Sequence, residues 1–232
     1  VNISSFMFIP VAGASQQTTY KYIIASDVYK TRANITTPRY GKTFSLYNLM
    51  YVTGGDDSGA VNYDLNQAFS DLSNTWTAKA VLPANKIRHA VFTLGTKGYA
   101  CDGELDVNTF QKTNVEYDPV ANTWTAKTVP LLDRMWSTGF SIGLFGFSVG
   151  GATNTGGSTS TNRNDRYSQA SDSWTQRAVY PASENRQCSF AIGTNGYIAG
   201  GEGPVATTRR FNDTTNAWTS MTDLNTARSS SV

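Results

Sequence analysis

Short apolar runs alternate with polar, glycine-rich turns along the whole chain. Four such runs are each followed by two adjacent glycines or by Asp-Gly. They are Leu49-Met50-Tyr51-Val52, Gly98-Tyr99-Ala100-Cys101, Phe145-Gly146-Phe147-Ser148-Val149 and Gly196-Tyr197-Ile198-Ala199. Runs of this length and composition, bounded by turn residues, predict strands. No segment of useful length has the apolar spacing of a helix. The pattern therefore predicts an all-β protein.

A tryptophan motif recurs four times. The segment Asn122–Lys127 repeats Asn74–Lys79 almost letter for letter, and weaker copies surround Trp174 and Trp218. Successive tryptophans are 48, 50 and 44 residues apart, a period typical of radial or stacked repeat folds. Seven positions before each stands another aromatic residue: Phe69, Tyr117, Tyr167 and Phe211. One structural unit is therefore copied along the chain.

Each copy predicts four strands in a fixed order. The first strand follows an arginine, the second is aromatic and ends at paired glycines, the third carries an aromatic residue and the fourth carries the tryptophan. The arginines are Arg39, Arg88, Arg134, Arg186 and Arg228. The glycine pairs are Gly54-Gly55, Gly150-Gly151 and Gly200-Gly201, with Asp102-Gly103 in the remaining copy.

The two ends of the chain together predict a fifth copy. Met7–Ala14 aligns with Phe145–Ala152, and Tyr29 stands where the tryptophan is expected. Arg228 lies 16 positions from Ala12 when counted across the ends, which matches the Arg134 to Gly150 spacing. We therefore expect a ring closed by pairing of the C-terminal strand into the N-terminal blade, which leaves few exposed edges. The expected blades of this single domain are 39–87, 88–133, 134–185, 186–227, and 228–232 plus 1–38.

Taken together, these motifs resemble kelch repeats over essentially the whole chain. The resemblance is carried by an arginine, an apolar strand, a glycine pair and an aromatic residue before a tryptophan, as in Tyr117–Trp124. It is nearest to the kelch-like repeats of bacterial secreted and phage proteins. It implies a five-bladed β-propeller with four-stranded blades. Five blades are fewer than the six or seven commonest in that family, so a larger ring stays open.

Composition and charge narrow the partners and the compartment. The chain has 232 residues, a formal net charge of +2 and only 16% charged residues, so we expect no nucleic-acid partner. No apolar run approaches the length of a membrane span. The chain begins with Val1, so we expect a processed product or an excerpt of a longer protein. Polar turns, low charge density and the resemblance predict an extracellular, cell-surface or virion protein.

Candidate catalytic groups are few and scattered. The single histidine, His89, has no companions for a copper site of the galactose-oxidase type, which needs two. Cys101 and Cys188 fall in separate copies, so we expect free thiols. Carboxylates in the turns stand singly, without evident acid and base pairing, and include Asp56, Asp57, Glu104 and Asp106. We expect no enzyme activity, cofactor or metal, while a sialidase-like or sugar-epimerising carbohydrate-active enzyme stays the alternative.

Binding is the function that the chain favours. We expect a non-catalytic module that binds a protein or glycan through the loop face around a central channel, alone or in a larger assembly. The longest loop, 152–162, predicts a protruding hairpin or a flexible linker. The kelch resemblance implies that Arg39, Arg88, Arg134, Arg186 and Arg228 surround the channel mouth and bind carboxylates bidentately. Their alternative use is internal, to backbone carbonyls or a neighbouring aspartate.

Overall fold

The computed structural model of the protein describes residues 6–10, 18–23, 26–57, 61–106, 109–203 and 205–228. Every regular element within these ranges is a strand, which confirms the all-β prediction. The described ranges contain no helix with the length and apolarity needed to cross a membrane.

Within the described ranges the strands form one three-stranded, four four-stranded and one two-stranded antiparallel sheet. The N-terminal sheet comprises β1 (Phe6–Pro10), β2 (Thr19–Ile23) and β3 (Val28–Arg32). Blade 1 comprises β4 (Lys42–Leu46), β5 (Leu49–Thr53), β6 (Asn66–Ser70) and β7 (Thr75–Lys79). Blade 2 comprises β8 (Ala90–Leu94), β9 (Lys97–Cys101), β12 (Asn114–Asp118) and β13 (Thr123–Ala126). The chain between β9 and β12 forms a separate small hairpin of β10 (Glu104–Asp106) and β11 (Thr109–Phe110).

The remaining two blades complete the repeat. Blade 3 comprises β14 (Thr138–Ile142), β15 (Phe145–Val149), β16 (Asn164–Ser168) and β17 (Ser173–Gln176). Blade 4 comprises β18 (Cys188–Ile192), β19 (Asn195–Ala199), β20 (Thr208–Asn212) and β21 (Ala217–Ser220). The first strands of successive blades, β4, β8, β14 and β18, contact one another and form the inner wall of the fold. Hydroxyl groups join them, since Ser141 Oγ donates to the Thr93 carbonyl at 2.6 Å.

The tryptophan motif joins neighbouring blades through a single residue of the preceding blade. Trp124 Nε1 donates to the Ala80 carbonyl at 2.9 Å, and the Ala80 amide donates to Asn122 Oδ1 at 2.9 Å. The same clamp joins Trp76 and Asn74 to Ala33, Trp174 and Asp172 to Thr128, and Trp218 and Asn216 to Ala178. The clamped residue always lies four positions after the tryptophan or Tyr29 of its own sheet.

Apolar packing between blades follows the same repeat. A phenylalanine on the first strand of each blade stacks on an aromatic residue of the second strand, as Phe92 does on Tyr99 at 5.1 Å between ring centroids. That pair packs against Tyr167 and Trp174 of the next blade. A Cβ on Gly146 would come within 2.2 Å of the Phe92 ring, so glycine at this position lets the blades approach closely.

The N-terminal sheet has the internal geometry of the last three strands of a blade. Tyr22 faces Tyr29 at 4.9 Å between ring centroids, as Tyr117 faces Trp124 at 4.9 Å. Phe6 pairs with Ile23 at the position where Phe145 pairs with Ser168. The predicted alignment of Met7 with Phe145 is therefore wrong by one residue, because the pairing of the third strand sets the register.

Ring closure falls largely outside the described residues, which lack 1–5, 11–17 and 229–232. Arg228 bridges Val205 of blade 4. The Tyr29 side chain is 60% exposed. In blade 4, Phe190 is 47% exposed, whereas its counterpart Phe140 is 3% exposed beneath the following blade. The described residues thus show four complete blades, and they do not support five blades or closure of the ring.

Two substitutions at Trp124 should separate the contribution of indole packing from that of the indole hydrogen bond. Trp124→Ala is expected to lower the free energy of unfolding by about 3 to 5 kcal/mol, because it empties a packed site between blades 1 and 2. Trp124→Phe keeps much of the ring but loses the bond to Ala80, so a loss nearer 1 to 2 kcal/mol is expected. Urea denaturation measures the free energy of unfolding of both variants. Equal losses would contradict a dominant role for packing of the Trp124 indole.

Candidate functional site

The five predicted arginines occupy two different kinds of site. Arg39 and Arg134 are 1% and 0% exposed. Arg39 donates to the carbonyls of Gly54 at 2.7 Å and Val52 at 2.8 Å, and to Gln67 Oε1 at 2.5 Å. Burial lowers the pKa of Arg39 to about 10. These two side chains hold the backbone of their own blades and have no free surface.

Arg134 lies at the centre of a buried ionic cluster between blades 2 and 3. Its guanidinium lies 3.0 Å from Asp102 Oδ2 and 3.0 Å from Asp165 Oδ2, and it also donates to the Ser148 carbonyl at 3.1 Å. Burial alone would lower the pKa of Arg134, but the charges of Asp102 and Asp165 outweigh it and the pKa is raised. Asp102 Oδ2 also accepts hydrogen bonds from the Ser137 hydroxyl at 3.1 Å and the Ser148 hydroxyl at 2.5 Å.

The ionic cluster explains why one glycine pair begins with an aspartate. Asp102 has a φ of 60°, the left-handed conformation that the glycines adopt in the other blades. The following amide, of Gly103, donates to the Arg134 carbonyl at 2.8 Å, as the Gly55 amide donates to the Lys86 carbonyl at 2.8 Å. The strained backbone is retained, and the added side chain pairs with the arginine of the next blade.

Lys86 occupies the arginine position in blade 2. Its ammonium group donates to the Asp102 carbonyl at 2.9 Å and to Thr113 Oγ1, and burial lowers the pKa of Lys86 to about 8. The corresponding residue of blade 4 is Glu184, whose carbonyl accepts a bond from the Gly151 amide at 2.8 Å. Arg88 and Arg186 therefore lie two positions beyond the site that Arg39 and Arg134 occupy.

Arg88 and Arg186 both lie over the Trp136 ring. The guanidinium carbons lie 4.5 Å and 3.8 Å from the Trp136 ring centroid. The backbones are also joined, since the Trp136 amide donates to the Arg88 carbonyl at 2.7 Å and the Arg186 amide to the Trp136 carbonyl at 3.0 Å. All three residues have a positive φ, of 55°, 52° and 57°. We call them the Arg-Trp-Arg row.

The Arg-Trp-Arg row lies at the start of the inner strands and is partly exposed. Arg88 Nη1 contacts Glu104 Oε2 at 2.6 Å, and Arg186 forms an ion pair with Glu202. The Arg88 and Arg186 side chains are 22% and 27% exposed. The sequence interpretation missed Trp136, although it was the one tryptophan outside the repeated motif. The row presents two guanidinium groups and an indole from three successive blades on one surface.

The longest loop packs over this row. Thr153 and Thr159 are paired, Asn154 Oδ1 accepts a bond from the Thr159 amide at 2.8 Å, and Asn185 donates to the Gly157 carbonyl at 3.1 Å. A Cβ on Gly157 would come within 2.1 Å of the Trp136 ring, so the glycine permits this contact. The loop is a folded hairpin rather than a flexible linker.

Arg228, the fifth predicted arginine, is exposed at the end of the described chain. Its carbonyl accepts a hydrogen bond from the Gly201 amide at 3.0 Å, which is the backbone contact that Arg134 makes with Gly103. The described residues do not bring Arg228 into the Arg-Trp-Arg row.

A cavity of about 110 Å³ lies between the inner strands of the four blades. In blades 2, 3 and 4 its lining residues come directly after Arg88, Trp136 and Arg186 in the chain. Its lining includes Lys42, His89, Thr138, Gln187 and Cys188. Burial lowers the pKa of His89 well below its ordinary value, and the charges of Lys86 and Lys42 lower it further, against an opposing contact with the Lys86 backbone. The imidazole is therefore neutral at pH 7.

Metal and thiol chemistry find little support in the described part of the chain. It contains no group of three or more histidine, cysteine or acidic side chains that could hold a metal ion. Cys101 and Cys188 are both free, as predicted, and burial raises the pKa of the Cys101 thiol. The turn carboxylates are engaged locally, since Glu104 pairs with Arg88 and Asp57 Oδ1 accepts a bond from the Val61 amide at 2.7 Å.

Comparisons with known proteins bear on the fold. No family model matches the chain, and no curated protein matches it. Among solved structures, one titled "Structure of YjhT" superposes with a TM-score of 0.83 and 13% sequence identity, covering 99% of this chain and 84% of that one. The protein has a β-propeller fold. At this identity the likeness concerns the propeller architecture alone, so the function of the chain must be argued from its own residues.

The ionic cluster of the propeller gives a test of its structural role. Asp102→Asn keeps a residue that tolerates a left-handed backbone but removes the charge paired with Arg134. We expect a loss of about 2 to 4 kcal/mol in urea denaturation, because one partner of a buried ion pair is removed while Asp165 remains. The control Asp106→Asn, at an exposed position, should change stability by less than about 0.5 kcal/mol. Similar values for both variants would contradict this account.

Proposed function

We propose that the protein is a non-catalytic interaction module that binds an acidic protein or glycan through the Arg-Trp-Arg row. The observation that carries this proposal is the convergence of Arg88 and Arg186, 98 residues apart in sequence, on the partly exposed Trp136 ring. Guanidinium groups bind carboxylates bidentately, and the Trp136 indole holds two of them close together by cation–π contact. Aromatic residues and arginine are also the types enriched at the centres of interfaces.

The ion pairs of the row make binding selective for the shape of an acidic partner and not for its charge alone. Glu202 pairs with Arg186 and is partly exposed, so an acidic partner has to exchange with this carboxylate, whereas the fully buried Glu104 stays paired with Arg88. Such exchange makes binding depend on the geometry of the incoming group as well as on its charge. Of the arginines predicted from the sequence, Arg88 and Arg186 thus carry the proposal, and Arg228 is a further exposed candidate. Arg39 and Arg134 are assigned to the interior.

The proposal extends to the repeat family and the closing of the ring. We infer kelch-like repeats, because each clamp uses the tryptophan of the motif that suggested this family, and the paired glycines or Asp-Gly of each blade adopt a left-handed turn at the same place. We also infer that the N-terminal sheet is a fifth blade that docks against blade 4. Thr222 lies four positions after Trp218, as the other clamped residues do after theirs, and Asp27 and Tyr29 stand at the clamping positions. One departure is Met7, where blades 2 to 4 have glycine.

The alternative function is a carbohydrate-active enzyme, and the compartment is also a proposal. Glu104 and Glu202 border the row, and of the two only Glu202 is exposed and could contact a sugar substrate. Each is paired with an arginine, an arrangement that favours a structural carboxylate over a general acid, whose pKa must be raised. We propose an extracellular, cell-surface or virion location, supported by the polar Ser/Thr/Asn-rich turns and low charge density of the chain.

A glycan and peptide array tests the binding surface and separates the two functions. Arg88→Ala, Trp136→Ala and Arg186→Ala should each weaken acidic ligands found with the wild type by about 10- to 100-fold, the loss of one charge-assisted bond or aromatic contact. Neutral ligands should be weakened less by the arginine changes. Release of product from a sugar, abolished by Glu104→Gln or Glu202→Gln, would instead establish the enzyme.

Arg166→Ala is the matched control for the array. Arg166 also forms an ion pair, with Asp213 at 2.9 Å, and lies over the Phe145 ring at 4.1 Å with a side chain 22% exposed. It lies on β16, away from the row. A similar loss of binding in this control would show that arginine removal acts through general charge or stability, and the assignment of the row would be withdrawn.

Cysteine cross-linking tests the closing of the ring. In a chain carrying Cys188→Ser, the pair Asp27→Cys and Thr222→Cys should form an intramolecular disulfide if the N-terminal sheet docks on blade 4. The pair Asn122→Cys and Ala80→Cys is the positive control, because the Ala80 amide lies 2.9 Å from Asn122 Oδ1. Cross-linking of the control pair alone, or linked dimers of the Asp27 and Thr222 pair, would refute closure within one chain of five blades.

A further inference from the structure

A second carboxylate lies beside the one that pairs with Arg186. The Glu184 side chain packs against the turn that carries Glu202, since a Cβ on Gly201 would come within 2.7 Å of Glu184 Oε2. The backbones of the two segments are also joined, because the Glu202 amide donates to the Asn185 carbonyl at 2.9 Å. Glu202 itself forms the ion pair with Arg186 in the Arg-Trp-Arg row. Two carboxylates and one guanidinium group are therefore gathered at this end of the row.

Glu184 lacks the charge compensation that Glu202 has. In the part of the chain that the structure describes, Glu202 pairs with Arg186, whereas no cation forms an ion pair with Glu184. Burial raises the pKa of Glu184, and the charge of Glu202 raises it further, against an opposing contact with the Glu202 amide. Glu184 therefore takes up a proton more readily than an ordinary glutamate when the medium becomes acidic.

The other charged groups on the surrounding elements do not supply the missing partner. These groups are Arg163, Arg209 and Arg228. Arg163 pairs with Asp165 at 2.6 Å, and within the described ranges neither Arg209 nor Arg228 forms an ion pair with Glu184. Tyr180 also senses the charge of Glu184, but burial raises the pKa of this phenol, so it stays neutral in an acidic medium. The titration of Glu184 is therefore not masked by its neighbours.

An anion bound to the row would change the charge that Glu184 faces. To reach Arg186, an acidic group has to take the place of the Glu202 carboxylate. The displaced carboxylate stays on the same turn, so Glu184 then faces two negative charges instead of one. Their repulsion favours the neutral form of Glu184 more strongly in the bound state than in the free state. Because coupling between two binding events is reciprocal, protonation of Glu184 must tighten binding of the anion by the same factor.

We propose that Glu184 makes the Arg-Trp-Arg row proton-sensitive, so that the row holds an acidic partner more tightly in a mildly acidic medium than at neutral pH. This inference rests on the proposed function of the row and names its regulation. The gain in affinity is complete once Glu184 is protonated in the free protein, and it is lost as the pH rises and the bound protein gives up that proton. The arginines keep their charge throughout, so the pH dependence comes from the carboxylate.

Titration with sodium sulfate at pH 5.0 and pH 7.5 tests this regulation, because sulfate has the same charge at both values. The NMR signal of the Trp136 indole N–H, assigned with Trp136→Phe, reports binding to the row at constant ionic strength. We expect sulfate to bind about 3- to 10-fold more tightly at pH 5.0, the effect of removing one nearby charge. Glu184→Gln should bind sulfate with the higher affinity at both pH values.

Glu116→Gln is the matched control. Glu116 is also a largely buried glutamate, with a side chain 14% exposed, and its carboxylate lies 3.4 Å from Lys127 Nζ. It lies on β12, away from the row, so this variant should keep the pH dependence of the wild type. The indole signals of the remaining tryptophans show whether each variant is folded.

The outcomes separate this inference from the proposed function. Saturable binding of sulfate with equal affinity at both pH values would overturn the regulation and leave the row as a binding surface. No binding at either pH would overturn both. If Glu202→Gln abolished the pH dependence while Glu184→Gln retained it, Glu202 would be the titrating group and the assignment to Glu184 would be wrong.

Discussion

The fold depends on one residue in the N-terminal sheet and in each of blades 1 to 3 being held at both its N–H and its C=O by the next blade. The amide of Ala80 bonds to Asn122, and its carbonyl bonds to Trp124. Such a residue at the outer end of a blade would otherwise leave two polar groups beside an apolar wedge, at an appreciable cost. Asparagine or aspartate at the preceding left-handed turn and tryptophan two residues later satisfy both groups and fill the wedge at once.

The clamp explains why the fold was predictable from the sequence and the arginine site only partly so. The motif Asn-x-Trp, or Asp-x-Trp in blade 3, recurs in the sequence because both residues bond to the preceding sheet. The four complete blades were predicted from this recurrence. Arg88 and Arg134 look equivalent in the sequence, but they lie two positions apart in the repeat because Lys86 takes the structural position in blade 2. Substitution of lysine for arginine there, and of glutamate at 184, hid the true register.

Other features of the site could not be predicted because they arise between blades. Trp136 is unremarkable as a single letter, and its role appears only when Arg88 and Arg186 approach from the two neighbouring blades. In the sequence, Asp102 only replaces the first glycine of a pair, yet in the structure it forms an ion pair with an arginine 32 residues away.

The interblade clamp also bears on how such a chain can evolve. Each clamp uses residues of two adjacent sheets and none from farther around the ring, so a unit can be duplicated or deleted at the cost of re-forming one junction. The energetic cost of changing the number of units then falls on the curvature of the series of sheets. Proteins built this way would vary in the number of blades more readily than in the structure of each blade.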